Sequence, residues 1–180
     1  MTHPGAIVVW VANRWVALWL MLAVTQLTMA ETIIYVRDTG FSSPHYVFSD
    51  TDGGTSKAIT LQKGSTYKFI GAGVSTSHPF NIGSDWRLVD PNISLISTSG
   101  SYVPQGGVGS IVTGQSLTLT IPNDYSSDTI TYYCYAHSVM VGSFEISNPP
   151  DNDNDGIPDS QGTDSQQAPP RDTTAPSITS

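Results

Sequence analysis

The sequence is poor in cysteine, in charge and, beyond residue 30, in long apolar runs. Its 180 residues contain one cysteine, Cys134, so no disulfide framework can form within the chain. Charged residues make up 12%, and seven Lys or Arg face fifteen Asp or Glu, for a net charge of −8. Nucleic-acid phosphates demand a basic footprint, so nucleic acid is excluded as a partner, whereas a basic protein surface is compatible. After residue 30 no stretch carries a helical period, which excludes a helix bundle.

The one apolar run lies at the start. Arg14 precedes WVALWLMLAVTQL, and TMA then leads into the polar, strand-like ETIIYV. A positive residue, a short apolar core and a small terminal residue predict a secretory signal over 1–30, cleaved after Ala30. The apolar core is short for a membrane span, so no stable span is expected once the signal is gone. Export to a periplasmic, secreted or cell-surface location follows from this reading. An uncleaved anchor is the alternative, because the segment before the apolar run is long.

The chain beyond Ala30 divides in two. Residues 31–148 carry nine acidic against five basic residues, a net of −4, and are patterned throughout. Short segments rich in Thr, Ile, Val, Tyr and Phe recur: ETIIYVR, HYVFS, KAITLQ, STYKFIGA, HPFNIG, SIV, SLTLTIP, TITYYCY and GSFEIS. Turn residues separate them, as in SDTDGG, QKGS and PNDYSSD. Many short strands with such punctuation predict one all-β domain, an antiparallel sandwich or barrel. The Gly/Ser/Pro-rich segment 84–110 reads as an excursion with one short strand. It holds a glycosylation sequon at Asn92-Ile93-Ser94. Residues 149–180 lack aromatics, are nearly free of aliphatics and carry six Asp against one Arg. They cannot bury enough surface to offset their ordering entropy, so a disordered acidic tail is expected.

In an oxidising compartment a lone cysteine is an intermolecular bridge, a reactive thiol, a buried inert residue or a metal ligand. Its neighbours bear on the choice. In TYYCYAHSVMVGSFEI, residues 131–146, His137 follows Cys134 by three residues and Met140 follows His137 by three. Strand alternation puts Ile130, Tyr132 and Cys134 on one face, and the turn AHSVM then brings three candidate ligands together within seven residues. Thiolate, imidazole and a weak thioether form the donor set of blue copper sites, in which two histidines and a cysteine bind with a distant axial methionine. Structural zinc sites rarely use methionine and usually show a second cysteine. The triplet also admits a bland reading: a buried thiol, a surface histidine and a methionine filling a gap. A copper site needs a second histidine. His78 opens HPFNIG at a strand end, a suitable place to project a ligand. His45, in a turn-rich stretch, reads as a surface residue and stays the other candidate.

The spacing C-x2-H-x2-M on the last hairpin, after an aromatic strand and with an upstream histidine at a strand end, resembles the cupredoxins over roughly residues 31–147. The short ligand loop is most similar to that of amicyanin. The resemblance implies a Greek-key β-sandwich and one type 1 copper bound by His78, Cys134, His137 and Met140. It also implies single-electron transfer between transient protein donors and acceptors, with His137 as the electron port. A monomer that is not an enzyme is expected, since no second copper motif is present. A copper-delivery or copper-sequestering module, or a structural cell-surface domain, would fit the same shape. The family often has Asn directly after the upstream histidine, where it braces the ligand loop. Here Pro79, which lacks a backbone donor, stands in its place, and Asn81 lies two further on.

The tail carries a second signal. In DNDNDGIPD, Asp151, Asp153 and Asp155 alternate, Gly156 permits a sharp turn, and Asp159 comes after it. Carboxylates at alternate positions suit Ca2+, and the stretch looks like a thrombospondin type 3 repeat. No Glu closes the loop as in an EF-hand, and a solvated acidic linker is the competing reading.

Overall fold

The computed structural model describes residues 31–151. Nine strands and no helix occur among them: β1 Thr32–Asp38, β2 Tyr46–Ser49, β3 Thr60–Gln62, β4 Thr66–Gly73, β5 Phe80–Gly83, β6 Ser94–Ser97, β7 Ser116–Thr120, β8 Thr129–Cys134 and β9 Val141–Ser147. They form two sheets, in the orders β2-β1-β4-β7-β6 and β3-β9-β8-β5. The fold is thus the expected all-β, cupredoxin-like sandwich. Its sheets are mixed, not purely antiparallel: β1 runs parallel to β4, and β3 runs parallel to β9. Parallel neighbours need long crossovers, and both pairs are far apart in sequence.

Alternation fills the core. Val36, Phe69, Leu117 and Leu119 from the first sheet meet Leu61, Phe80, Ile130 and Phe144 from the second, all essentially shut off from water. Such residues dominate because burying one large apolar side chain contributes about 1.5–3 kcal/mol. The core is aromatic toward β2, where Phe48 makes edge contacts with Tyr132 and Phe144 at centroid distances of 5.1 and 4.8 Å. Ile130, Tyr132 and Cys134 face this core, as the alternation of β8 requires.

Segment 84–110 behaves as an excursion and contributes the single strand β6, paired to the edge of β7. The expected strand SIV is reduced to one bridge, Phe80 to Ile111. Asn81 explains how the excursion covers the outer face of the second sheet. Its Nδ2 donates to the Val108 carbonyl at 3.1 Å and to Ser110 Oγ at 3.0 Å. Tyr133, opposite Asn81 in the β5–β8 ladder, points the same way and is also fully buried. No helix among the described residues is long and apolar enough to cross a membrane. The expected signal segment and nearly all of the tail lie outside the described residues.

Candidate metal centre

Strand register builds the centre. Phe80 of β5 pairs with Cys134 at the end of β8, so His78, two residues before Phe80, reaches the same end of the sheet. A turn shapes its approach, with the His78 N–H donating to the Ser75 carbonyl at 3.1 Å. The loop after β8 closes tightly: Cys134 N–H donates to the Met140 carbonyl at 2.9 Å, and Met140 N–H donates to the His137 carbonyl at 3.1 Å. These two bonds return the chain to β9 directly beside Cys134.

The result is a compact donor set. Cys134 Sγ lies 3.5 Å from His137 Nδ1 and 3.9 Å from His78 Nδ1. The ligand atoms of all three residues fall within 4.8 Å of one another. With metal–sulfur and metal–nitrogen bonds of about 2.3 and 2.0–2.1 Å, two such donors sharing one ion at angles near 109–120° sit about 3.5–3.8 Å apart. The two sulfur–nitrogen separations match that range to within a tenth of an ångström. Cys134 is fully buried, and both histidines are half-buried. Met140 is also fully buried and belongs to the same core cluster as Cys134. A soft sulfur and two imidazoles, with a methionine closing the loop, fit copper by donor type. His45 stands outside the group. It is half-buried, not on the surface as expected, and its Nδ1 is buried without a hydrogen-bond partner.

Pro79 does not leave the loop unbraced. Its carbonyl accepts the Tyr135 N–H at 2.8 Å. Asn81 has no part in this, being committed to the excursion.

Four surrounding residues escaped the sequence reading. The Tyr46 hydroxyl donates to the His78 carbonyl at 2.7 Å. Burial pushes its phenol far above the ordinary range and the neighbouring Cys134 adds to the effect, so Tyr46 stays a neutral donor. Phe41, largely exposed, sets its ring edge-on against both imidazoles, at 5.2 Å from His78 and 4.9 Å from His137. Trp86 Nε1 donates to the Cys134 carbonyl at 2.9 Å, and Arg87 Nε donates to the Tyr135 carbonyl at 2.7 Å. Only an aromatic placed among turn residues, as in TGFSSP, hinted at any of them.

Only one of the four carboxylates expected to bind calcium falls among the described residues. Asp151 is the last described residue, and Asp153, Asp155 and Asp159 lie outside the described residues. No observation supports calcium.

No protein-family model matches the chain, and no curated protein matches it. Among solved structures it is similar to a multi-copper oxidase from Pediococcus acidilactici, at 14% identity and a TM-score of 0.37. That match covers 68% of this chain and 27% of the oxidase. A laccase from Pediococcus acidilactici Pa5930 matches at 13% identity and a TM-score of 0.34, over 67% of this chain and 27% of the laccase. The chain therefore spans about a quarter of the length of either protein. Against the expectation that this chain is not an enzyme, both solved structures to which it is similar are of enzymes.

Proposed function

We propose that this domain holds one copper ion through His78, Cys134, His137 and Met140 and passes single electrons between protein partners outside the cytoplasm. The observation that carries this reading is the buried sulfur with two imidazole Nδ1 atoms at 3.5 and 3.9 Å. When bound, copper supplies one-electron redox chemistry between its two oxidation states.

The chain's own residues supply the rest. The sandwich holds Cys134 away from water, which protects the thiol from oxidation and favours a metal-bound thiolate over a free one. Backbone bonds from Cys134 to Met140 and from Met140 to His137 fix the loop, so little rearrangement accompanies a change of charge at the site. His137 is the outward-facing donor, flanked by exposed Ala136, Ser138 and Val139. Val139 is 69% exposed and Phe41 62% exposed, which makes the rim beside His137 apolar. An apolar rim around a redox ligand suits brief encounters over a small interface. We place the redox partners there and take the working form to be a monomer.

A copper-delivery module would use the same donors. Full burial of Cys134 favours the carrier, because handing an ion to an acceptor requires exposed ligands.

The test is to load the purified protein with Cu(II) and record visible and EPR spectra. An intense thiolate-to-copper band with narrow hyperfine splitting is expected, and Cys134→Ser should abolish it. A colourless protein, or a Cys134→Ser variant with the parent spectrum, defeats the reading. Rapid electron exchange with slow copper loss to a chelator then separates carrier from delivery module.

A further inference from the structure

The excursion 84–110 sends two consecutive side chains into the end of β8. Trp86 Nε1 donates to the carbonyl of Cys134 at 2.9 Å. Arg87 Nε donates to the carbonyl of the next residue, Tyr135, at 2.7 Å. The guanidinium is sandwiched, with its Cζ lying 4.5 Å from the centre of the Trp86 ring and 4.0 Å from that of Tyr135. Cation–π contacts of this kind are strongest when partly shielded from water, and both Trp86 and Arg87 are half-buried.

The turn that delivers them is specific. Ser84 N–H donates to the Leu88 carbonyl at 3.1 Å, and Leu88 N–H donates back to the Asp85 carbonyl at 3.0 Å. Asp85 Oδ1 also accepts the Trp86 N–H at 2.6 Å. Arg87 takes a φ of 56°, the left-handed region that residues with a Cβ avoid. A strained residue persists only where its surroundings over-determine it, and here those surroundings are the ligand loop.

The backbone of Tyr135 is therefore held on both sides. Its N–H is fixed by the Pro79 carbonyl and its C=O by Arg87. At the preceding residue, the Cys134 C=O is fixed by Trp86 and the Cys134 N–H is tied to the Met140 carbonyl. We propose that Trp86 and Arg87 are positioning residues that clasp the ligand loop shut in the metal-free protein, so that the donors of Cys134 and His137 are assembled before a metal arrives. The link to a metal rests on the proposed copper site; the closure of the loop does not.

The test begins with metal-free protein. Trp86→Phe keeps an aromatic side chain and removes the indole N–H with its five-membered ring, and Arg87→Met keeps the stem and removes the guanidinium. Amide exchange at Tyr135 and Met140, and alkylation of buried Cys134 by iodoacetamide, report opening of the loop. Each rate should rise roughly three- to tenfold, the effect of one lost hydrogen bond, while exchange in β4 and β7 stays at the parent rate. After loading with Cu(II), the thiolate-to-copper band should move, a change that a merely stabilising side chain would not cause. Parent-like opening rates, a rise shared equally by all strands, or a band at the parent position in both variants would overturn the proposal. If one variant does not fold, the other decides. If the parent shows no band with copper while both variants open faster, the clasp stands and the copper reading falls.

Discussion

Tyr46 is the residue on which the upstream ligand depends. Its ring packs at 5.1 Å from Phe80, and its hydroxyl ends on the His78 carbonyl. Removing only that hydroxyl leaves a carbonyl without its donor beside the candidate metal centre. Tyr46→Phe should therefore lower the stability of the metal-free protein by about 1–3 kcal/mol, read from urea unfolding midpoints. A change within error would show that the His78 carbonyl finds another donor. Legibility at this scale follows distance along the chain. Cys134, His137 and Met140 stand within seven residues, so their grouping is written locally. His78 could be placed because a strand end is a local signal. Tyr46, Trp86 and Arg87 reach the centre across sequence separations of 32 and 48 residues, and no local pattern marks such a contact. Pro79 shows the opposite case: a missing N–H is plain in the sequence, but a carbonyl that braces the loop appears only once β5 and β8 are paired.

Among the elements, the strands with one buried face were legible and the excursion was not. β7 throughout and β4 over residues 66–72 alternate between buried and half-exposed positions, which is the pattern that TYKFIGA and SLTLT announce. β5 is buried at every position because the excursion covers its outer face, so alternation gives no guide there. The clasp depends on how closely the 84–88 turn approaches β5. At Gly83 an added Cβ would lie 2.0 Å from the Leu88 carbonyl oxygen, a backbone atom that cannot swing aside. Gly83→Ala must then push the turn off the strand, carrying Trp86 and Arg87 with it. The expected outcome is a loss of about 1–3 kcal/mol in stability together with faster alkylation of Cys134. Destabilisation without any gain in thiol reactivity would mean that the turn and the ligand loop move independently.

For the whole molecule, an aromatic core in a small sandwich places several tyrosines where water cannot reach them, and this sets its limit of stability in alkali. Tyr125 is 5% exposed, and its hydroxyl donates to Asp90 Oδ2 at 2.7 Å. Burial raises its phenol, and the Asp90 carboxyl raises it further. Burial raises Tyr132 as well. It pushes Tyr133 up to about 12, with Tyr135 adding to the effect and Arg87 opposing it. In the unfolded chain each phenol ionises near 10. Above that pH the unfolded state releases protons that the folded state keeps, so stability must fall as pH rises. The contribution of each tyrosine is fully present below pH 10 and is lost between 10 and its own folded value. The slope is at most about 1.4 kcal/mol per pH unit for each of them. With Tyr46, whose phenol burial also raises, four such groups predict a steep decline starting near pH 10 in the metal-free protein, measurable as a falling urea midpoint between pH 9 and 11. Tyr125→Phe should make that decline shallower while costing stability at neutral pH, because it removes both the titrating phenol and the hydrogen bond to Asp90. A Tyr125→Phe variant that keeps the parent slope would show that this phenol ionises in the folded protein as readily as in the unfolded chain.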